Sequence, residues 1–384
     1  MEHRAHERAR QGLHGLVSPR TALRIAVRGV LTLAIATSLV AGIAGGLLRA
    51  GVAWPATVTW LPQAALAHAQ LMVCAFLGSV IGVERAVAVK RRWAYATPVA
   101  AALSAVAALS GAAAAAAWLQ VAAALVFVAV NAVLLSRQQA AHTAWLLAAA
   151  LAWLTGNTLH ARDAAAAAVV PWWFAFLVLT IVAERLEMTR LMRRRRAAAP
   201  LLTLLLSALL LACVAGTLAL PIAGMLYGAA LTGLAAWLLA FDIARRTVRA
   251  RGLPRYMAVC LLGGYAWLAV SGVAWWATSL GAPARDAALH ALALGFVFCM
   301  VLAHAPVILP AVAGVKLQFG RVFYAPLAVL HGSLLMRLLL PVWDARALAL
   351  GAAANAAAIA LFAVTVIAAA LAWHRRNARA PSPR

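Results

Sequence analysis

Acidic residues are nearly missing from this chain: nine Asp and Glu stand against 33 Lys and Arg in 384 residues, a formal net charge of +24. Glu84, Glu184 and Asp242 fall at the ends of hydrophobic stretches, and Asp163, Asp286 and Asp344 fall in connections outside them, so no carboxylate is expected at mid-membrane depth. Proton pumps and proton-coupled carriers normally rely on such intramembrane relays. Cysteine is equally sparse. Cys74, Cys213, Cys260 and Cys299 all lie inside apolar stretches without a CxxC pair or an extracellular spacing pattern, so they read as small buried hydrophobes and set no redox compartment. There is no P-loop, GxSxG, HExxH or glycine-rich dinucleotide loop, so the chemistries of soluble enzymes have no foothold.

What fills the chain is apolar: 66% of residues are hydrophobic and 11% charged. Stretches of about 20 residues without interior charge recur along it, each long enough to cross a hydrocarbon core of about 30 Å as a helix. The runs are continuous rather than alternating, which excludes a β-barrel. The pattern predicts an all-α polytopic membrane protein with about twelve transmembrane helices, near 27–49, 62–86, 94–112, 116–136, 143–160, 166–187, 200–220, 222–243, 256–280, 287–312, 324–341 and 350–373. These form one domain over 25–373, flanked by a basic tail at 1–24 and a tail at 374–384. The first apolar stretch is too long for a signal sequence, and no cleavage is expected.

This topology accounts for the charge. All basic residues except Arg49, Arg162, Arg285, Arg337 and Arg346 fall on one side, which the positive-inside rule makes cytoplasmic, both termini included. That places the chain in a bacterial inner membrane with the lipid bilayer as its main partner. Nucleic acid is rejected as a partner because the charges are spread over every inner connection. Trp172, Trp173, Trp275, Trp276 and Trp343 are expected in the outer interfacial belt.

The inner ends of the second and sixth stretches share an order of features. S-V-I-G-V-E-R with Glu84-Arg85 precedes basic residues and A-T-P; L-T-I-V-A-E-R with Glu184-Arg185 precedes an arginine run and A-A-P. The tenth stretch leads to Lys316, Arg321 and Y-A-P, so Pro98, Pro200 and Pro326 each open the next helix. The expected period is four helices, giving parallel repeats over 25–137, 138–255 and 256–373. The Glu-Arg pairs read as salt bridges anchoring helix ends.

Two histidines stand at matched depth, a few residues inside the outer ends of the second and tenth stretches: His68 in L-A-H-A-Q-L-M and His290 in A-L-H-A-L-A-L. The sixth stretch has Ala168 at that position. An imidazole in lipid is expensive unless something binds it. Neutral imidazole ligates metals and haem iron, so the pair is a candidate haem site, with an interhelical hydrogen bond as the plainer alternative for each ring. His304, on the same helix as His290, lies about 21 Å deeper and about 40° off its face. It cannot reach the same iron. Pro306 and Pro310 bend the chain after it, and a second metal site between His304 and His331 is the reading their depth allows. Arg337, inside an outer half, either snorkels outward or neutralises haem propionates. His142, His160, His374, His3, His6 and His14 carry little weight, and Asn131, Asn157 and Asn355 read as helix-joining groups.

At these residues the chain resembles the NnrS family of haem- and copper-containing membrane proteins, and more distantly the catalytic subunit of haem–copper oxidases. The likeness rests on L-A-H-A-Q-L-M-V-C-A-F, L-H-A-L-A-L-G-F-V-F-C-M-V-L-A-H, L-L-M-R-L-L and the twelve-helix layout. The resemblance implies a b-type haem between His68 and His290, copper as a further metal, nitric oxide as a gaseous ligand, and a role in the nitrosative stress response of denitrifying metabolism or in electron transfer. Departures accompany it: the sixth and seventh stretches have no histidine, and L-A-H-A-P stands where glycine-histidine-threonine-glycine is expected. The three-histidine copper centre of the oxidases is therefore not expected. A small-molecule transporter and a non-catalytic membrane subunit or assembly factor are the competing readings. Haem type, catalysis and oligomeric state are not legible in the sequence.

Overall fold

The computed structural model describes residues 19–188, 196–344 and 346–378. It is 84% helical, with no strand among the described residues. Ten helices there are long and apolar enough to cross a membrane, which makes this a multi-pass membrane protein. Helices suit such a sequence because each satisfies its backbone polar groups internally, where hydrocarbon offers no partner.

In chain order the helices are α1 (Pro19–Arg49), α2 (Leu61–Leu66, then, past a turn at Ala67, Gln70–Leu77 and Gly78–Val89), α3 (Ala96–Leu109), α4 (Ala113–Arg137), α5 (Ala141–Ala161) and α6 (Ala166–Met188). After them come α7 (Ala198–Thr217), α8 (Ala223–Phe241), α9 (Leu253–Ser279), α10 (Arg285–His290, Ala291–Val297, Phe298–Ile308 and Leu309–Ala313 in succession), α11 (Tyr324–Leu339) and α12 (Ala347–Ala378). Of these, α3 has only 14 residues, and α5 interleaves His142, Thr143, Thr155, Asn157, Thr158 and His160 with its apolar positions; neither is among the ten. The predicted 1–24 tail is helical from Pro19 onward, and α12 continues into the predicted C-terminal tail as far as Ala378. His3, His6, His14 and most of the arginine run at Arg193 to Arg196 lie outside the described residues.

Pro98, Pro200 and Pro326 each occupy the third residue of a helix, α3, α7 and α11, where the missing N–H has no intrahelical partner to lose. Lys90, with φ 56°, closes α2 in the left-handed conformation ahead of Arg91 and Arg92.

Burial separates centre from periphery. It is 72% along α6 and 61% along α2 and α10, against 28% along α1 and α12. The three central helices touch one another, and Phe76 of α2 stacks on Phe298 of α10 at 6.2 Å between ring centroids. The other helices surround them, with α12 returning to α1. Between α4, α5 and α6 the core is aromatic: Trp153 stacks on Phe176 at 5.0 Å, and Phe127 meets both edge-on.

Polar side chains in the interior tie helices together, as expected where an unsatisfied group in hydrocarbon is costly. Asn157 accepts hydrogen bonds from Trp173 Nε1 at 2.8 Å and Cys74 Sγ at 3.4 Å and donates to the Gln120 carbonyl at 3.0 Å, joining α5 to α6, α2 and α4. Asn355 of α12 bonds Ser333 of α11 at 2.7 Å. Asn131 departs from the expectation and donates within its own helix, to the Phe127 carbonyl. Trp172 and Trp173 also depart from it. Both are buried against neighbouring helices rather than exposed, Trp173 donating to the buried Asn157 and Trp172 to the exposed Thr217 at the end of α7. Trp276 and Trp343 are exposed.

At the inner ends the charges pair across helices. Arg85 of α2 bonds Glu184 of α6 and lies 3.5 Å from Glu84, while Arg185 of α6 grips Asp242 through Nε at 2.9 Å and Nη2 at 3.0 Å. Asp242 also accepts the Ala244 amide at 2.7 Å. With both arginines and Asp242 buried, removal of one partner leaves an uncompensated charge, so these pairs fix how α2, α6 and α8 meet.

Candidate functional site

Two of the three central helices lose α geometry at the same place. In α2, Gln70–Leu77 winds as a π-helix directly after His68; in α10, Ala291–Val297 does so directly after His290. A π turn inserts one residue into the ladder and re-aims the side chains before it, and such turns cluster at functional sites. In α6 the helix stays α throughout despite Pro171.

A cavity of about 330 Å³ opens between α1, α2, α6, α10, α11 and α12, and His68, His290, Arg337, Arg49 and Arg285 all line it. His68 and His290, separated by more than two hundred residues in the chain, therefore face one space. Apart from Asn355 the rest of the wall is apolar, with Met72, Trp173, Phe174, Leu177, Leu294 and Phe298 prominent.

Each ring is held by Nδ1. His68 Nδ1 donates to the Gly42 carbonyl at 2.7 Å, and α1 can approach because Gly46 has no side chain: a Cβ there would lie 2.6 Å from His68 Cε1. His290 Nδ1 lies 2.9 Å from Asp286 Oδ1 and 3.1 Å from the Asp286 carbonyl. Asp286 is in turn gripped by Arg337, Nε to Oδ2 at 2.9 Å and Nη2 to Oδ1 at 2.8 Å. With the proton on Nδ1 fixed by an oxygen acceptor, the Nε2 lone pair of each ring is left available. Among the described residues no protein group hydrogen-bonds either Nε2. This is the arrangement in which a second-shell acceptor sets the tautomer and orientation of a ligating imidazole.

Asp286 corrects the sequence reading. It was expected as an outer-loop carboxylate, yet it sits in the first turn of α10, one helical turn before His290, and is the hinge of the Arg337–Asp286–His290 chain. The D-A-A-L-H spacing, an i,i+4 pair, is the signal that could have shown it. The role expected for Arg337 shifts accordingly: its guanidinium is engaged by Asp286, and the free cations of the cavity are others. Arg49 makes only a 3.5 Å bond to the Ala65 carbonyl, and Arg285 has no hydrogen-bond or ion-pair partner among the described residues.

His304 and His331 are not brought together. His304 Nδ1 bonds the Met300 carbonyl at 2.8 Å, and its ring lies within electrostatic range of Glu84, Arg185 and Asp242 at the inner end. His331 instead packs on α9: its Nδ1 accepts from Trp267 Nε1 at 2.7 Å, its ring stacks on that indole, and Nε2 lies 4.0 Å from Cys299 Sγ. The physical reason is helical phase. His304 follows Cys299 by five residues, about 140° around α10. Accepting the Trp267 proton also consumes the Nδ1 lone pair of His331 and leaves Nε2 as the protonated nitrogen, the wrong tautomer for a ligand. No group of three or more His, Cys, Asp or Glu in metal-binding arrangement occurs among the described residues.

Comparison with known proteins gives one family. No curated protein matches, and no solved structure matches. Residues 28–371, nearly the whole helical domain, match a family described as Domain of unknown function (DUF8744), and the chain belongs to that family.

Proposed function

We propose that this protein is an integral membrane haem protein in which a b-type haem is held between His68 and His290. The observation that carries the reading is the pair of imidazoles lining one cavity, each with Nδ1 tied to an oxygen and Nε2 free. The rest of the donor set fits the same group. A porphyrin is a flat apolar body with two carboxylate arms, and the cavity offers largely apolar walls with the Arg49 guanidinium, which has no carboxylate partner among the described residues, beside the histidines. Its volume falls within the roughly 300–1,000 Å³ of pockets that hold cofactors and small molecules. Two imidazoles without a third His, Cys, Asp or Glu grouped with them among the described residues favour haem over a three-histidine copper centre.

A bis-histidine haem supplies one-electron chemistry when bound. The chain's own part is then positional. The Gly42 carbonyl and Asp286 hold the two rings in ligating tautomers, and Arg337 holds the Asp286 carboxylate in place. Electron transfer is the role this favours, and the NnrS-like setting of nitric oxide tolerance is the wider context in which we read it.

The twelve helices α1–α12 are read as twelve spans in three parallel groups of four, α1–α4, α5–α8 and α9–α12. Supporting this are the equivalent positions of Pro98, Pro200 and Pro326 and the central placement of α2, α6 and α10. A bacterial inner membrane with both termini cytoplasmic follows from the charge asymmetry.

Visible absorption of the purified protein tests the haem. A Soret band with the pyridine haemochrome signature of b-type haem is expected, and its loss in a His68→Ala, His290→Ala double variant that stays folded. Haem-free protein after expression with haem supplied in excess would end the proposal.

A further inference from the structure

A second chamber of about 260 Å³ lies beside the histidine cavity, enclosed by α6, α7, α8, α9 and α10 at their outer ends. The two spaces share Ala166, Val170, Arg285 and Leu289 as a partition, one residue from His290 on the α10 side. Exposed Ala166, Ala167, Ala219 and Leu220 border the chamber's mouth. Small side chains on α7 and α8, among them Ala212, Gly216 and Ala223, hold it open.

Its chemistry is one-sided. The floor is an aromatic pair, Tyr227 and Trp275, with ring centroids 4.5 Å apart. The Tyr227 hydroxyl is directed away, donating to the Pro171 carbonyl at 3.0 Å. Two donors in the wall lack acceptors among the described residues: Trp275 Nε1–H and the Arg285 guanidinium. Among the described residues no carboxylate lines the chamber. Such a space favours a planar ring that stacks on aromatics and presents hydrogen-bond acceptors to the two donors. A bare anion is disfavoured, because a single cation in mostly apolar walls does not replace its hydration. The volume suits one substituted ring, and the mouth lies among exposed residues at the helix ends, Ala166, Ala167, Ala219 and Leu220, wide enough for an apolar tail to leave the chamber.

We propose that this chamber binds the headgroup of a lipid-soluble quinone, with Trp275 and Arg285 as the donors to its carbonyl oxygens. The placement next to the His290 side of the cavity rests on the haem reading for its purpose, since it puts a redox carrier against the partition. Binding of the quinone does not depend on that reading.

The test is equilibrium binding of a short-tailed quinone, decylubiquinone, to the full chain in detergent, with the Soret band recorded in parallel. Saturable binding at one site is expected in the wild type. Ala223→Phe, which fills the chamber from the half-buried start of α8, should weaken it at least tenfold, and Arg285→Gln should weaken it about three- to tenfold. Ala167→Phe, at the mouth on α6, is the second blocking variant should Ala223→Phe fail to fold, and should also cut binding. Soret absorbance should be unchanged in Ala223→Phe and Ala167→Phe. Non-saturable partitioning, or binding equal to wild type in both folded Phe variants, overturns the proposal. Saturable binding lost in those variants while no Soret band is found sustains the quinone site and refutes the haem reading separately.

Discussion

At the depth where α2 and α10 present His68 and His290, the third central helix presents Ala168, followed by Pro171, Trp172, Trp173 and Phe174. All three helices are central and contact one another. They differ in backbone and in what they do with the space. After each histidine, α2 and α10 widen into a π turn, whereas α6 remains regular and fills its volume with aromatic rings whose N–H groups are already satisfied by Thr217 and Asn157. The lesson is that a site between two of three central helices needs more than a candidate ligating residue. It needs the local backbone change that frees the ring to turn inward and an acceptor that fixes its tautomer.

The strongest way to break that comparison is to move the histidine. His68→Ala should abolish retained haem, lowering the Soret absorbance per protein at least tenfold. Adding Ala168→His to that variant should not restore it, because α6 offers no π turn. Recovery of the band in His68→Ala, Ala168→His would show that any imidazole at this depth suffices and that the π turns are incidental.

Next in size is the acceptor on α10. Asp286→Asn keeps the shape but replaces the carboxylate that orients His290 and neutralises Arg337. Haem affinity should fall about 10- to 100-fold, the usual cost of losing an outer-shell partner. Titration of apoprotein with haem measures it. An unchanged affinity would mean that the His290 tautomer is set by the Asp286 backbone carbonyl alone.

How much of this was readable without coordinates follows the physics of each feature. Hydropathy reported the long apolar helices directly, because length and burial in lipid act on each segment separately. The matched His68 and His290 were visible for the same reason, as polar residues in apolar runs. Asp286 was misplaced because depth alone made it a loop residue, while its role depends on the i,i+4 turn to His290 and on Arg337 arriving from α11. The π turns have no compositional signal in Q-L-M-V-C-A-F-L or A-L-A-L-G-F-V. His304 and His331 had compatible depths but not compatible faces, and phase around α10 could only be settled once α9 and α11 were placed against it. Trp172 and Trp173 were read by position as interfacial, whereas both pack against neighbouring helices, with acceptors supplied by Thr217 at the end of α7 and Asn157 of α5.

A smaller effect sharpens the α2 side. Gly46 gives the His68 ring its room, and a Cβ at 2.6 Å from Cε1 requires the ring or α1 to shift. Gly46→Ala should stretch the His68 Nδ1 bond to the Gly42 carbonyl and weaken haem binding by about tenfold or less. The comparison variant Gly29→Ala meets nothing within 4 Å on the same helix and should leave affinity unchanged.

The smallest expected effect lies on α6. Thr217→Val, at the end of α7, keeps the side-chain shape and removes the acceptor for Trp172 Nε1, now 2.9 Å away, together with the threonine's own bond to the Cys213 carbonyl. Interhelical hydrogen bonds of this kind contribute on average about 0.6 kcal/mol in membrane bundles, because the separated helices find other partners. Stability to denaturing detergent should fall by about that amount while the Soret band is retained in full. A larger loss, or any loss of haem, would mean that the aromatic filling of α6 holds the shape of the cavity wall at Trp173 and Phe174, and that the regular helix supports the site as actively as the two π turns do.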